Sequence, residues 1–386
     1  MKHASRLYDG LQTFVSQSAW ADLRHLVVLV WMLVGLIEEG KVNLTSWISR
    51  VETKALYAQS TQRRFARWLH NARINVARLY RPLIQRALSE WPDPVLYLCL
   101  DTSSLWDQYC IIRVSVVYRG RGVPVGWRVI RHGSTTVGLP TYQELLMRIA
   151  KLLPAQPQIV LLADRGFVDA DLLRFVRGQL HWHYRIRIKG NFWFWQSGRG
   201  WWQVRQFHLG AGEAMLLQQV RIYKRRSLSG VHLALAHVTG THEHWYILSS
   251  QPTTLQTFAQ YGLRFDIEEN FLDDKSNGFQ LERSLIRDAI ALSRLCFVLA
   301  VATLFLTLQG TAVVAAGKRR WVDPHWQRGS SYLKIGWNWV KGIAAKGWQL
   351  LEISCLSSAV DPDPAFASRW QSEQRQERLE FRVRSA

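Results

Sequence analysis

Two short runs of this chain are almost wholly apolar, and each stops at an aspartate. Val95-Leu96-Tyr97-Leu98-Cys99-Leu100 precedes Asp101, and Ile159-Val160-Leu161-Leu162-Ala163 precedes Asp164. A strand wetted on one side alternates apolar and polar residues, so a run without alternation predicts a strand buried on both faces. Strands of that kind lie inside an α/β layer, and open α/β sheets present ligands at the carboxyl ends of their strands. Asp101 and Asp164 therefore stand where a site is built. A lone aspartate after a strand also serves as an ordinary turn or helix cap, and that reading stays open for each of them alone.

The neighbouring segments fill out a mixed α/β layer. Ile111 to Tyr118 and Val125 to Ile130 flank the turn Arg119-Gly120-Arg121-Gly122, which predicts an antiparallel hairpin. Helices are expected near Thr141 to Leu153 and Ala170 to Gly178, with a further strand near Tyr184 to Ile188. Residues 1 to about 90 show helical spacing and no strand alternation. Residues 190 to 250 are aromatic-rich, with short alternating segments, and read as an inserted β subdomain. Helical spacing returns over Leu255 to Lys275 and Arg283 to Leu308, and the polar stretch after Ser357 reads as a loose tail. The expected division is thus residues 1–90 helical, 91–190 with 251–310 the α/β core, 190–250 the insertion, and 311–386 a helical region with its tail.

Charge narrows the partners. Lys and Arg number 49 against 29 Asp and Glu, a formal +20, and such a field attracts a polyanion, nucleic acid first. The four cysteines, Cys99, Cys110, Cys296 and Cys355, are scattered with no C-x-x-C pair, which argues against a disulfide framework or a cysteine zinc site. No apolar stretch follows the N-terminal basic residues as a secretory signal requires, so a cytoplasmic protein is expected. Leu26 to Ile37 and Ala289 to Leu308, the latter containing Arg294, fall short of the roughly 20 uninterrupted apolar residues of a membrane span and read as buried core helices.

Asn43 to Ser46 can cap a short helix reaching Val51, and a second helix begins near Ser60. The pair resembles a helix-turn-helix. Its second helix carries Arg63, Arg64, Arg67, His70 and Arg73 beside Phe65, Trp68 and Leu69, as expected of an element lying along a phosphate backbone; the alternative is a solvated basic face on a bundle helix. In or beside the insertion, Trp182, Trp193, Trp195, Trp201, Trp202 and Trp245 are interleaved with Arg and Lys, a mixture suited to stacking on unpaired bases while cations hold the backbone. Which of them would stack on a base is open; Trp245, nearest in sequence to Tyr261, is the first candidate, with a buried aromatic of a β core as the alternative. His237, His242 and His244 lie close together, with His242 and His244 expected on one strand face, but lack a fourth zinc ligand.

Beyond the insertion, Tyr261, Arg264, Glu268 and Lys275 are spaced by three, four and seven residues, which on a continuous helix places them on one face. The chemical reading is that Asp101, Asp164 and Glu268 converge to hold two divalent ions for in-line phosphoryl transfer, while Arg264, Lys275 and Tyr261 bind phosphates. Asp266, two residues from Glu268, is expected to point elsewhere on the helix, and Asp107, Asp273 and Asp274 are read as surface or capping carboxylates.

The motif Tyr261-x2-Arg264-x3-Glu268-x6-Lys275 resembles the signature of bacterial DDE transposases of the insertion-sequence 4 family. Leu98 to Ser103, around Asp101, and Leu162 to Phe167, around Asp164, resemble that family's first and second motifs. The resemblance implies a ribonuclease-H-like core interrupted by a β-rich insertion between the second Asp and the Glu, and an N-terminal DNA-binding region. It implies Mg²⁺ as cofactor, two ions with Mn²⁺ able to substitute, and cut-and-paste movement of an element. The implied partners are double-stranded DNA at the element's inverted repeats, target DNA, and a second copy of the chain in the DNA complex, with no membrane; the implied location is the bacterial cytoplasm, at the nucleoid. A catalytically silent DNA-binding derivative and a nuclease without strand transfer are the competing functions.

Overall fold

The first buried strand does not stop at Asp101. In the computed structural model, β1 (Val95–Leu105) runs four residues further, because Thr102 to Leu105 pair with β2 (Tyr109–Tyr118), Thr102 opposite Ile112 and Leu105 opposite Tyr109. Asp and Ser have little strand preference of their own, and pairing with the almost wholly buried β2 overrides it. The structure describes residues 2–52, 55–119, 121–265, 267, 271, 274, 278–324, 330–352, 355–356 and 379–384.

Four helices precede β1: α1 (Lys2–Val15), α2 (Leu23–Glu39), α3 (Ala58–His70) and α4 (Val76–Ala87), with a 3-10 turn at Ser46–Arg50 between α2 and α3. Asn43 Oδ1 accepts from the backbone N–H of Thr45 and Ser46, so the cap expected there is formed. After β2 come β3 (Arg121–Arg131), α5 (Leu139–Ala150), β4 (Gln158–Ala163), α6 (Ala170–Gly178) and β5 (His183–Arg187). β4 lies parallel to β1, and β5 parallel to β4. The order β3-β2-β1-β4-β5, an antiparallel hairpin followed by two parallel strands each preceded by a helix, is that of a ribonuclease-H-like core.

The insertion is β-rich, as expected, and it extends the core sheet. Its strands are β6 (Trp193–Gln196), β7 (Gly200–Gln203), β8 (Glu213–Ile222), β9 (Leu228–His237) and β10 (His244–Ser249). β10 pairs antiparallel with β5, and the order continues β10-β9-β8-β6-β7. The chain then enters α7 (Gln256–Gly262), α8 (Ala289–Ala315) and α9 (Tyr332–Lys346). Near its end, β11 (Arg382–Val383) lies parallel to β8 and buries Phe381 against Phe258. The tail expected after Ser357 lies outside the described residues up to 378, but Arg382–Val383 within the described 379–384 belong to the sheet.

Helix α8 is the axis of the core. It is long and apolar enough to cross a membrane, yet 83% of its most apolar 18-residue window is buried within the fold. An all-round apolar helix is what a fully packed position requires. It begins at Asp288, whose Oδ1 accepts from Ala291 N, and not near Arg283 as its spacing suggested; Leu285, at φ +57°, is incompatible with an earlier start. Against α9 the two backbones touch: a Cβ on Gly310 would lie 1.9 Å from the Tyr332 carbonyl oxygen. Arg294, buried in α8, donates to the carbonyls of Leu69 (2.8 Å), in the last turn of α3, and Ile74 (3.3 Å), in the loop that follows. Trp68 of α3 stacks on Phe297 of α8 at 6.4 Å.

Candidate active site

The β1–β4 ladder sets two carboxylates side by side. Its last pair is Leu100 with Ala163, and the next residues are Asp101 and Asp164. Neighbouring strands lie about 4.8 Å apart and successive side chains alternate faces, so both aspartates leave the sheet on the face opposite Leu100 and Ala163. Each is anchored by its own backbone. Asp101 Oδ1 accepts from Thr102 N at 2.8 Å, and Asp164 Oδ1 accepts from Gly166 N at 2.8 Å. Gly166 permits that turn, since a Cβ there would sit 3.0 Å from the same oxygen. Both carboxylates are half-buried.

Arg264 is buried against this pair, its Nη1 3.9 Å from Asp101 Oδ2 and its guanidinium over the Phe265 ring. α7 ends at Gly262, and Leu263 and Arg264 form a tight turn in which Arg264 N donates to the Tyr261 carbonyl at 2.9 Å before helix resumes at Phe265, so Tyr261 and Arg264 follow one another by a single 3-10-type turn. Glu268 and Lys275 lie outside the described residues, as do Asp266 and Asp273. Tyr261 is fully buried, and its hydroxyl has no partner among the described residues. Burial pushes that hydroxyl up to about 12, with Asp164 adding to the shift and Arg264 and Arg187 opposing it.

Trp245 is 8% exposed and packs edge-on against Tyr261 at 5.8 Å. Its indole Nε1 has no partner among the described residues, and the ring lines a cavity of about 690 Å³ with Leu255, Gly262, Phe265 and Phe381. On α3, Arg63, Arg64, Arg67 and His70 are exposed, while Phe65, Trp68 and Leu69 are buried; Arg73, expected on the same helix, is exposed in the turn beyond its end at His70.

Several other expectations are corrected. Asp274 is not a surface group: it is buried and ion-paired with the buried Arg113 at 2.5 Å, because Arg113 stands opposite Asp101 on β2 and the chain beyond α7 packs over it. His242 lies in the turn before β10 and not on a strand face; it is His237 and His244, opposite each other on β9 and β10, whose rings stack at 4.2 Å. Asp107 is an exposed turn residue at φ +53°, as expected.

Two neighbours of the carboxylates have no signal in the sequence. Tyr142, in the first turn of α5, feels both Asp164 and Asp101; burial pushes it up to about 12 against a hydrogen bond to the Val137 backbone, with Cys110, Asp164 and Asp101 adding smaller upward contributions. Arg187 ends β5 level with Asp164, within reach of Tyr261, and donates to Glu243 at 2.9 Å. Their proximity is a product of strand register, which composition does not reveal.

The donor set suits a hard divalent cation. Carboxylate oxygens are the ligands such ions prefer, and Asp164 commits only Oδ1 to the protein among the described residues. Among those residues no three His, Cys, Asp or Glu side chains converge; the expected third carboxylate, Glu268, is not one of them.

No curated protein matches this sequence. Among solved structures, a similar chain is that of the piggyBac transposase synaptic complex with hairpin DNA, at 10% identity and a TM-score of 0.41, the match covering 88% of this chain and 77% of that one. The family described as the transposase DDE domain matches residues 108–305, just over half of the chain. The chain therefore belongs to the transposase DDE domain family.

Proposed function

We propose that this protein is an active DNA transposase of the insertion-sequence 4 type, which cuts DNA at the ends of its element and joins those ends to a target by cut-and-paste. The observation that carries the reading is the adjacency of Asp101 and Asp164 beyond the last β1–β4 pair, with Arg264 against Asp101. Glu268, four residues after Arg264, completes the triad. These three carboxylates would hold two Mg²⁺ ions, with Mn²⁺ able to replace them, and ions held there would supply Lewis-acid stabilisation to an in-line phosphoryl transfer.

The protein's own groups do the rest. Asp101 and Asp164 are held rigid by Thr102 and Gly166 backbone donors, so the two charges need little reorganisation before reaction. Arg264, Lys275 and Tyr261 position phosphates; the unpartnered Tyr261 hydroxyl is a donor awaiting an acceptor. Trp245, with its unpartnered indole N–H and adjoining cavity, accepts a displaced base. Arg63, Arg64 and Arg67 on the exposed face of α3 grip the backbone of the inverted repeat, the N-terminal 90 residues serving as the DNA-binding region. Two copies pair on DNA so that two ends are processed together, in the cytoplasm of a bacterium.

The test is a supercoiled plasmid carrying the two DNA segments that flank the gene, incubated with the full chain and Mg²⁺. Breaks at the element boundaries followed by joined products are expected. Binding without breaks in either Mg²⁺ or Mn²⁺ would replace this reading with a silent DNA-binding protein, and breaks without joining with a nuclease.

A further inference from the structure

The far edge of the sheet carries a feature that the cleavage chemistry does not use. β6 and β7 pair Trp195 with Trp201, and β6 pairs Trp195 with Arg221 of β8. Directly opposed residues project to one face, so Trp195, Trp201 and Arg221 share a face with Trp193 two positions away. The other face is ordinary core, with Phe194 buried and packed on Phe207, and Trp202 packed on Phe207 as well. On the open face the Arg221 guanidinium lies 4.5 Å over the Trp195 ring, and Lys224 Nζ lies 4.8 Å over Trp193 and 5.7 Å from Trp201. Both cations are exposed, and neither has an acidic partner among the described residues. Trp193, at 41% exposure, is among the large exposed apolar side chains.

A bulge aims this face. Ladder register runs from Ala163 to Ile186, so Asp164 is level with Arg187, which pairs with Ile247, then Ala234, then Leu216 of β8. Five residues separate Leu216 from Arg221, and an unbroken strand would turn Arg221 to the opposite face. The irregularity between Leu217 and Val220, with Gln219 at φ +53°, restores it to the face of the carboxylates. Four strand spacings and five residues along β8 put Arg221 roughly 25 Å from Asp164, about seven base pairs of B-form DNA.

We infer that this face is a second DNA contact, a phosphate clamp in which Trp193, Trp195 and Trp201 hold Arg221 and Lys224 over their rings and present both charges to the backbone of the element end. The inference rests on the reading of the chain as a DNA transposase. Cations fixed over indoles lose less freedom when they meet a phosphate than cations on free side chains. Because those cations cover the indole faces, the ligand is the sugar-phosphate backbone of duplex DNA and not a stacked base.

The test compares the full chain with the Arg221→Gln/Lys224→Gln variant, both residues being exposed. Binding to a mixed-sequence 30-base-pair duplex, measured across salt concentrations, should lose about two units of slope, and affinity at 0.1 M salt should fall on the order of fifty-fold. Trp195→Ala, which removes the platform but no charge, should weaken binding in the same direction. On a duplex carrying the flanking end, hydroxyl-radical protection should vanish within about seven base pairs of the cleaved bond while protection at that bond persists. A salt slope and footprint equal to those of the unmodified chain would overturn the clamp. Lost protection on target DNA with the end footprint intact would overturn its assignment to the element end. Binding reads out whether or not DNA is cut, so failure of the clamp and failure of the transposase reading are separate results.

Discussion

Replacing Arg113 with Met removes one partner of a pair that has no access to water. Arg113 is 1% exposed and Asp274 is 2% exposed, with Nη2 to Oδ2 at 2.5 Å, and the guanidinium also lies 4.6 Å from the Phe271 ring. Stranding a buried carboxylate costs about 3–5 kcal/mol, so chemical denaturation of Arg113→Met should show a loss of that size. The double variant Arg113→Met/Asp274→Leu strands no charge and should recover most of it, giving a coupling energy of several kcal/mol. The sign with pH is also fixed. Burial holds the Asp274 carboxyl above its ordinary range despite the pull of Arg113, and deleting Arg113 raises it further. The folded variant then binds more protons than the unfolded chain, so its deficit should shrink as pH falls from 7 towards 5. The pair matters because it ties the chain beyond α7, which carries Glu268, to the strand beside Asp101. Single substitutions costing under about 1 kcal/mol each, with costs that simply add, would refute the argument.

Other consequences are simpler. Arg294→Met removes two charge-assisted hydrogen bonds, one from the last turn of α3 and one from the loop before α4, a loss of about 3 kcal/mol or more, and should raise hydrogen exchange in α3 before the rest of the fold. Burial holds His232 and His244 below the usual histidine range, so the unfolded chain takes up protons first; stability should fall as pH drops below about 6.5 and level off below the folded values, read from denaturation midpoints between pH 7.5 and 5.5. Gly310→Ala forces apart α8 and α9 at their closest approach and should lower the melting temperature, at a cost of about 1–3 kcal/mol.

What the sequence revealed followed from local rules strong enough to survive tertiary packing. The apolar runs before Asp101 and Asp164 are strands because five or six apolar residues, bounded by Pro94 or Pro157 on one side and an aspartate on the other, are too few for a buried helix such as α2 or α8, and α6 spans Ala170 to Gly178 as read because Asp169 caps it, accepting from Asp171 N and Leu172 N. What stayed hidden depended on residues far apart in the chain. β1 outruns Asp101 because of β2, the helix after Tyr261 breaks at a turn that periodicity alone cannot foresee, and Asp274 is buried because Arg113, 161 positions earlier, meets it. The continuity of the insertion with the core sheet, and the return of Phe381 to it, are likewise long-range pairings. Of the triad, the adjacency of Asp101 and Asp164 was legible as two strand ends, whereas their exact lateral match required the register.

The central claim is that Asp101, Asp164 and Glu268 form one metal-dependent cleavage site. It is tested most directly by the rate at which Asp101→Ala, Asp164→Ala and Glu268→Ala each cut a duplex bearing the flanking end in Mg²⁺, with binding to that duplex measured alongside. The account predicts that every one of the three loses at least about a thousandfold in cleavage, roughly 4 kcal/mol of transition-state stabilisation, while binding is largely retained. Any one of them cutting at the rate of the unmodified chain would contradict it.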